Sequence, residues 1–502
     1  MATPSLTTDI QTLHACDIVA GAVGNKPILE SEIKKEGDYS LGFTVTINPV
    51  SGVSFTSVDL TGQTCRLWYA SITFPNMDTK ANGGLRFYAK DGSSNTAYWL
   101  IAGSDTYFGG WINIVVDMDS TPSSGSFNKA DVEEIGVEIA TVSSPKNLPN
   151  TWIDFARYGA GITATGGTAF TSGNYISLKD VALEDKANGY GIVEENPVTG
   201  EIALFGEVNI GNGATTTYYK EDKSAATFAD VNVSSTLYKM LFQGSGCNVS
   251  LGGFALKAYN QTFTLDANDA NLNALTMAGC SIGFADNVYF KAGQSITNCV
   301  FDSCGQIDPA TATFQNNTIS GYAGAEGALL LPTVTDNLSD ISFISSDNGH
   351  AIYVSATGTR TLAGIVYSGY GASDTTDAVV YNNSDGLVTL DISGGGNTPT
   401  VRNGSGASTV VNATVNITIA ANVTLAGAEI RVYDLDTTPP EYGTELAGTE
   451  SCPTATYGYA GEGGNVILIQ IMKDGYEEYT QEYTMPTNDS DLDVVLQADE
   501  NL

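Results

Sequence analysis

Between residues 30 and 188 apolar and polar positions alternate in short runs. Leu41, Phe43, Val45 and Ile47 share one parity, and so do Val53 with Phe55, Leu85 with Phe87, Val137 with Ile139, Ile176 with Leu178 and Val181 with Leu183. A period of two puts successive side chains on opposite faces of a strand, and turns rich in Gly, Pro and Asn end each run. The segment therefore predicts about eight antiparallel strands in a jelly-roll-like β-sandwich. Residues 1–29 carry few aromatics and no strong period, and read as an N-terminal arm that is ordered by a partner.

After about residue 190 the pattern changes. Short apolar beats begin at Asn298 (Asn-Cys-Val-Phe-Asp), Asn317 (Asn-Thr-Ile-Ser-Gly), Asp340, Ala363 and Thr389. No helix-like stretch separates them. A repeat of this length, made of short strands and Gly/Asn/Asp/Ser turns, predicts the rungs of a β-solenoid. Each rung buries its apolar face only by stacking, with Asn side chains at matching turns bonding along the stack. Residues 189–414, entered through GYGIVEENPVTGEIALFGEVNIGNG, would form about ten rungs at about 4.8 Å each. Residues 415–502 return to longer alternating runs and predict a second, smaller sandwich.

Residues 189–414 resemble the pectate-lyase-like right-handed β-helix family. With a sandwich in front, the chain is similar to the tailspikes and fibres of tailed bacteriophages. The terminal run GAEIRVYD…GTEL…NVILIQIMKDGYEEY is similar to small Ig- or transthyretin-like modules. The resemblance implies an all-β virion appendage made in the host cytoplasm, a homotrimer docked to other virion proteins through the N-terminal arm. It implies attachment to host surface polysaccharide or, as the alternative, its degradation by a tailspike hydrolase or lyase.

Charge narrows the partners. With 56 acidic and 21 basic residues, the net charge of −35 repels phosphate backbones and anionic membranes, which excludes nucleic acid as a direct partner. The first Lys is Lys26, so no basic n-region precedes an apolar core, and the apolar run Val466–Met472 is too short to span a bilayer. Membrane insertion is not expected. The seven Cys (16, 65, 247, 280, 299, 304 and 452) lack metal or disulfide spacing and read as small buried apolar groups.

Candidate chemistry is sparse, and no catalytic residue, metal or cofactor is assigned. The two His, His14 and His350, read as ordinary polar residues. Glycoside hydrolysis needs two carboxylates, yet shifting by the local repeat sets Asp347 on Tyr370, Asp340 on Ala363 and Asp302 on Gly321. A pairing of Asp347 with Asp374 or Asp377 across rungs stays open. No run matches the pectate-lyase catalytic residues. Asp489, Asp491 and Asp493 open like a calcium loop but lack its Gly and Glu, and read as a solvated tail. Trp68 and Trp152 sit in alternating runs and are expected in the core. Tyr107 and Phe108, between Gly103 and Gly109-Gly110, are the candidate glycan contacts, because a loop ring is free to cover a sugar face.

Overall fold

The alternating segment forms eight antiparallel strands: Ser40–Val45, Val50–Val58, Thr64–Ser71, Leu85–Asp91, Thr96–Ala102, Gly110–Asp117, Val132–Ile139 and Leu148–Tyr158. The structure, a computed structural model, describes the chain apart from residues 1, 46–49, 72–84, 103–109, 140–147, 230, 233–237, 259–261, 346–348, 394–395, 436–443, 447–453, 461–465, 485–489 and 500–502. Two compact units make up the chain, Met1–Tyr289 and Phe290–Leu502.

In the first unit the eight strands, counted in chain order, form one sheet in the order first, eighth, third, sixth. The other sheet runs second, seventh, fourth, fifth. Leu41, Phe43, Leu67, Ile114 and Ile153 of one sheet meet Val53, Phe87, Trp99, Ile135 and Val137 of the other in a shared core. Residues 1–29 are expected as an arm awaiting a partner, but from Ser5 onward their strands pair within their own unit. Ser5–Thr8 pairs with Gly161–Thr165, Gln11–His14 with Leu148–Tyr158, Ala22–Gly24 with Val50–Val58, and Ile28–Glu30 with Ser40–Val45. Strand edges offer unpaired backbone groups that a polar segment can bond without any apolar period.

The runs Ile176/Leu178 and Val181/Leu183 are not strand residues. Leu178–Asn188 is an α-helix, started by a capping box between Ser177 and Asp180 and stopped by Gly189 in the left-handed region. Leu178, Val181, Ala182 and Asp185 share its buried face, which leaves Leu183 exposed at 58%. The capping residues outrank a weak alternation of two pairs.

Three parallel sheets form a β-helix-like coil. In the first unit one sheet runs Gly161–Thr165, Glu207–Ile210, Lys239–Phe242, Phe263–Asp266 and Ala285–Tyr289. The second contains Ile202–Leu204, Ala225–Phe228, Ala255–Ala258 and Ser281–Gly283; the third contains Thr217–Asp222, Cys247–Gly252 and Ala274–Ala278. Parallel pairing thus begins at residue 161, earlier than the repeat predicts. Phe228 stacks on Phe263 at 4.8 Å inside this coil.

In the second unit the beats are corrected by the pairing. Val300 lies opposite Thr318, Thr318 opposite Ser342 and Ser342 opposite Val366, so the first return is shorter than the two that follow, which are equal. Thr389 falls in Leu387–Ser393, which belongs to another sheet and pairs with Gly358–Ala363. Three strands per rung each carry an apolar beat, so a one-dimensional search mixes the faces. The residues that recur at one corner are Asn298, Asn316, Asp340 and Gly364, with φ of 55°, 55°, 55° and 63°. Each donates its N–H to a carbonyl of the next rung. Asn and Asp tolerate this left-handed geometry better than other side chains do. Asn317 is buried and holds Cys299 N and Ile296 O with its side-chain amide. Side-chain Asn pairs do occur along the stack, at Asn248–Asn273 (2.6 Å) and Asn382–Asn403 (3.4 Å).

Ser408–Ala421 leaves the coil, where it pairs with Leu387–Ser393, and continues into a terminal pair of sheets alongside Thr454–Ala460 and Ser490–Val494. The facing sheet contains Thr444–Leu446, Glu429–Asp434, Val466–Met472 and Tyr479–Thr484. Ile417, Ile419, Ile430, Val432, Ile467 and Ile469 fill the space between them. Asp491 and Asp493 are exposed positions of a paired strand, not a loose tail; Asp489 lies outside the described residues. The six described Cys are buried thiols outside any disulfide among the described residues, and Cys452 lies outside the described residues.

Phe343, fully buried and opposite Ile319 and Tyr367, tests the register. Phe343→Asp places an unpaired charge in the coil, at a cost of several kcal/mol, and soluble yield is expected to collapse. Asp374→Asn, at an exposed turn, should leave yield and melting temperature unchanged.

Candidate functional site

The predicted contacts Tyr107 and Phe108 lie outside the described residues, as does Asp347, so its pairing with Asp374 or Asp377 is not seen. Trp68 and Trp152 are buried, but on the outer face of the first sheet of the sandwich. There Trp68 meets Phe205 edge-on at 5.0 Å. The inner face belongs to their neighbours Leu67 and Ile153. His14 is held by local backbone, with Nε2 at 2.8 Å from Ala20 O and Nδ1 accepting from Cys16 N.

His350 departs from its ordinary reading. It opens the strand His350–Val354, which pairs with Val380–Asn382, and that strand pairs with Val401–Asn403. The register sets Tyr353 opposite Tyr381 and Tyr381 opposite Arg402. Ile352 and Val380 turn inward, so these three side chains stand in one half-exposed column on the outer face. The tyrosine rings lie 5.7 Å apart. Asn383 donates to the Tyr353 hydroxyl at 3.1 Å and accepts from that of Tyr381 at 3.4 Å, which fixes both rings.

Beneath the column His350 is fully buried, its ring 5.1 Å from that of Tyr381. Its Nδ1 is 2.6 Å from Ala378 O, which only accepts, so Nδ1 carries the proton and Nε2 is left as an acceptor. Arg402 Nη1 lies 3.4 Å from that nitrogen, and its guanidinium sits 4.8 Å over the Tyr381 ring. Burial, reinforced by the Arg402 charge, pushes the imidazole pKa below its ordinary value and keeps it neutral. The preceding loop is pinned to the same strand: Asp374 donates its N–H to Val401 O, and Thr400 Oγ1 donates to Gly371 O at 2.8 Å. The column combines apolar ring faces, hydroxyls, a cation and a rigid backing. Its two returns, from Tyr353 to Tyr381 and from Tyr381 to Arg402, are unequal, which hides it from a search at one spacing.

A concavity of about 960 Å³ lies in the first unit between residues 35–37, the strand Leu148–Tyr158 and the helix with its following turn. Its charges hold the protein together. Arg157 pairs with Glu36 at 2.6 Å and donates to Tyr190 O, and Lys35 pairs with Glu194 at 2.5 Å. Asp185 accepts the N–H groups of Gly191, Ile192 and Val193 at 2.7, 2.9 and 2.7 Å. Gly191 holds the left-handed φ of 69°, and a Cβ there would sit 2.6 Å from Glu36 Oε1 and push on the Glu36–Arg157 pair. Asp154, buried behind the cleft, accepts from Lys35 N and Glu36 N through one oxygen, while the other has no partner among the described residues. Burial, against those N–H bonds, raises Asp154 to about 7 and Asp185 to about 6. With both Asp185 oxygens occupied and Asp154 sealed, these carboxyls brace the turn and are not placed to act on a substrate.

No protein-family model and no curated protein sequence matches the chain. Among solved structures, the catalytic domain of a GH87 alpha-1,3-glucanase in complex with tetrasaccharides is similar over 78% of this chain and 83% of that one, at 10% identity and a TM-score of 0.21. The catalytic unit of a thermostable GH87 alpha-1,3-glucanase from Streptomyces thermodiastaticus strain HF3-3 is similar over 80% and 96%, at 12% identity and 0.18. An agarase is similar over 36% of this chain and 31% of that one, at 9% identity and 0.22.

The buried carboxyls set a pH dependence. A folded pKa of about 7 against an ordinary 3.8 means that Asp154 favours the fold when protonated, and this contribution is lost as pH rises through about 7. The melting temperature of the first unit is therefore expected to fall between pH 5 and pH 8. Asp154→Asn, which keeps an acceptor for the two N–H groups and mimics the protonated acid, should flatten that fall and stabilise at pH 8 by on the order of 2 kcal/mol.

Proposed function

We propose that the chain is a polysaccharide-binding protein that lays an extended glycan along the outer column of Tyr353, Tyr381 and Arg402. The observation that carries this reading is the register placing two fixed, half-exposed tyrosines on adjacent rungs, with a cation on the next. A planar ring covers the apolar face of a sugar with little loss of side-chain freedom, and hydroxyl and guanidinium groups at its rim meet the sugar hydroxyls. The parallel sheet holds the rings in line, so affinity is distributed along a chain of sugars.

The same reading makes the protein an attachment appendage of a tailed bacteriophage, a homotrimer acting at the host surface. The strand order of the first sandwich supports a jelly-roll module, and the succession of sandwich, coil and sandwich along the chain supports a surface protein. Light scattering is expected to give about three times 52.5 kDa; a monomer at micromolar concentration would remove the trimer.

Tyr381→Ala and Tyr353→Ala should each weaken binding to host surface polysaccharide about tenfold, with little change in melting temperature. A wild-type protein silent on arrays of such polysaccharides would overturn the reading. Release of reducing ends or unsaturated sugars by the wild type would put degradation in place of simple binding.

A further inference from the structure

The six arginines of the chain divide by what they hold. Arg86, Arg157 and Arg431 pair with Glu138, Glu36 and Glu429. Arg66 and Arg360 are buried and direct their donors at backbone carbonyls, Arg66 at Gly159, Ala160 and Phe205, Arg360 at Ala356 and Gly358. Arg402 does neither. It is half-exposed, and among the described residues its neighbours are the Tyr381 ring and the neutral Nε2 of His350. With 56 acidic residues against 21 basic ones, a carboxylate partner is the ordinary fate of an arginine here. Asp377 acts electrostatically on His350 from the covering loop, and no ion pair joins Arg402 to a carboxylate among the described residues.

Two features prepare this guanidinium for a ligand. Its place 4.8 Å over the Tyr381 ring and its contact with His350 hold the guanidinium, and no other partner takes its N–H donors among the described residues, so little side-chain freedom remains to be lost. His350, as an acceptor, steers one Nη without adding a repelling charge. A planar fork of N–H donors matches a carboxylate or sulfate with two parallel bonds, and a neutral hydroxyl uses only one.

We propose that Arg402 binds an acidic substituent of the glycan, the carboxylate of a uronic acid residue or a sulfate ester, while Tyr353 offers its ring face to a sugar and Tyr381, its ring held between Arg402 and His350, meets the glycan at its edge. The inference rests on the glycan-binding reading and names the class of sugar. His350 touches no ligand and acts as a positioning residue. The column therefore selects at its Arg402 end, and the tyrosines supply affinity that does not depend on charge.

The test compares wild type, Arg402→Gln and Arg402→Lys on arrays of acidic bacterial polysaccharides and the same polymers after carboxyl reduction, with dextran sulfate beside them and melting curves to confirm folding. The wild type should prefer the acidic forms. Arg402→Gln should lose about tenfold on these and less than about twofold on the reduced forms, while Arg402→Lys keeps part of the preference. Tighter binding of dextran sulfate than of carboxylated polymers would assign sulfate; the reverse would assign the uronic acid. Equal losses on acidic and reduced forms, or no preference in the wild type, would overturn the acidic site and leave glycan binding in place. Should no polysaccharide bind, the underlying reading falls, and the side-chain N–H signals of arginine-labelled protein titrated with sodium glucuronate and sodium sulfate decide the site alone. A shift lost in Arg402→Gln keeps it, and no shift removes it.

Discussion

A parallel strand cannot close its hydrogen bonds with the residues that immediately follow it, and this constraint organises both units. Each short strand of the coil finds its donors and acceptors one rung away, so no rung is complete without a neighbour. The corner column of Asn298, Asn316, Asp340 and Gly364 keeps that pairing in register, because each left-handed residue turns the chain at the same place and bonds to the next rung. Apolar rings such as Phe301, Phe314, Phe343 and Tyr367 fill the interior that results. The pairing sets where the rings can stack.

The same constraint explains why loops carry the chemistry. Inward positions are committed to packing and corner positions to backbone geometry, so variation is left to the outer face and to the length between strands. The long return from Tyr353 to Tyr381 contains the loop that seals His350, and the short return to Arg402 brings a cation beside it. In the first unit the outer face of the sandwich follows a different logic. Arg66, Arg157 and Asp154 are buried there, Asp154 under residues 35–36, Arg157 against Glu36 and Tyr190, and Arg66 against Gly159, Ala160 and Phe205. A layer of polar groups, most of them hydrogen-bonded, joins these elements where an apolar contact would have been less directional.

Much of this was legible in the residues. Alternation at Leu41/Phe43 and Leu85/Phe87 marks real strands with a shared core, and the recurring short beats mark a real coil. Alternation fails at Ile176/Leu178, where the cap at Ser177 and Asp180 decides, and in residues 1–29, where edge pairing needs no apolar period. The rung register is out of reach of a single spacing, because the return from Val300 to Thr318 is already shorter than that from Thr318 to Ser342. The column of Tyr353, Tyr381 and Arg402 becomes visible only with that register. A ring between glycines stands out in one dimension, which draws attention to the loop aromatics of the sandwich; two tyrosines far apart in the chain do not.

The strand Ser408–Ala421 belongs to two architectures at once, and this gives it a mechanical meaning. Its first half is bonded sideways to Leu387–Ser393 and its second half to Thr454–Ala460 and Ser490–Val494, with no turn between. Tension applied along it would meet the hydrogen bonds of both ladders in shear, all loaded together, and not one at a time as in peeling. Within the second unit a pull on the terminal sandwich would be passed straight into the wall of the coil, and a twist of one would turn the other.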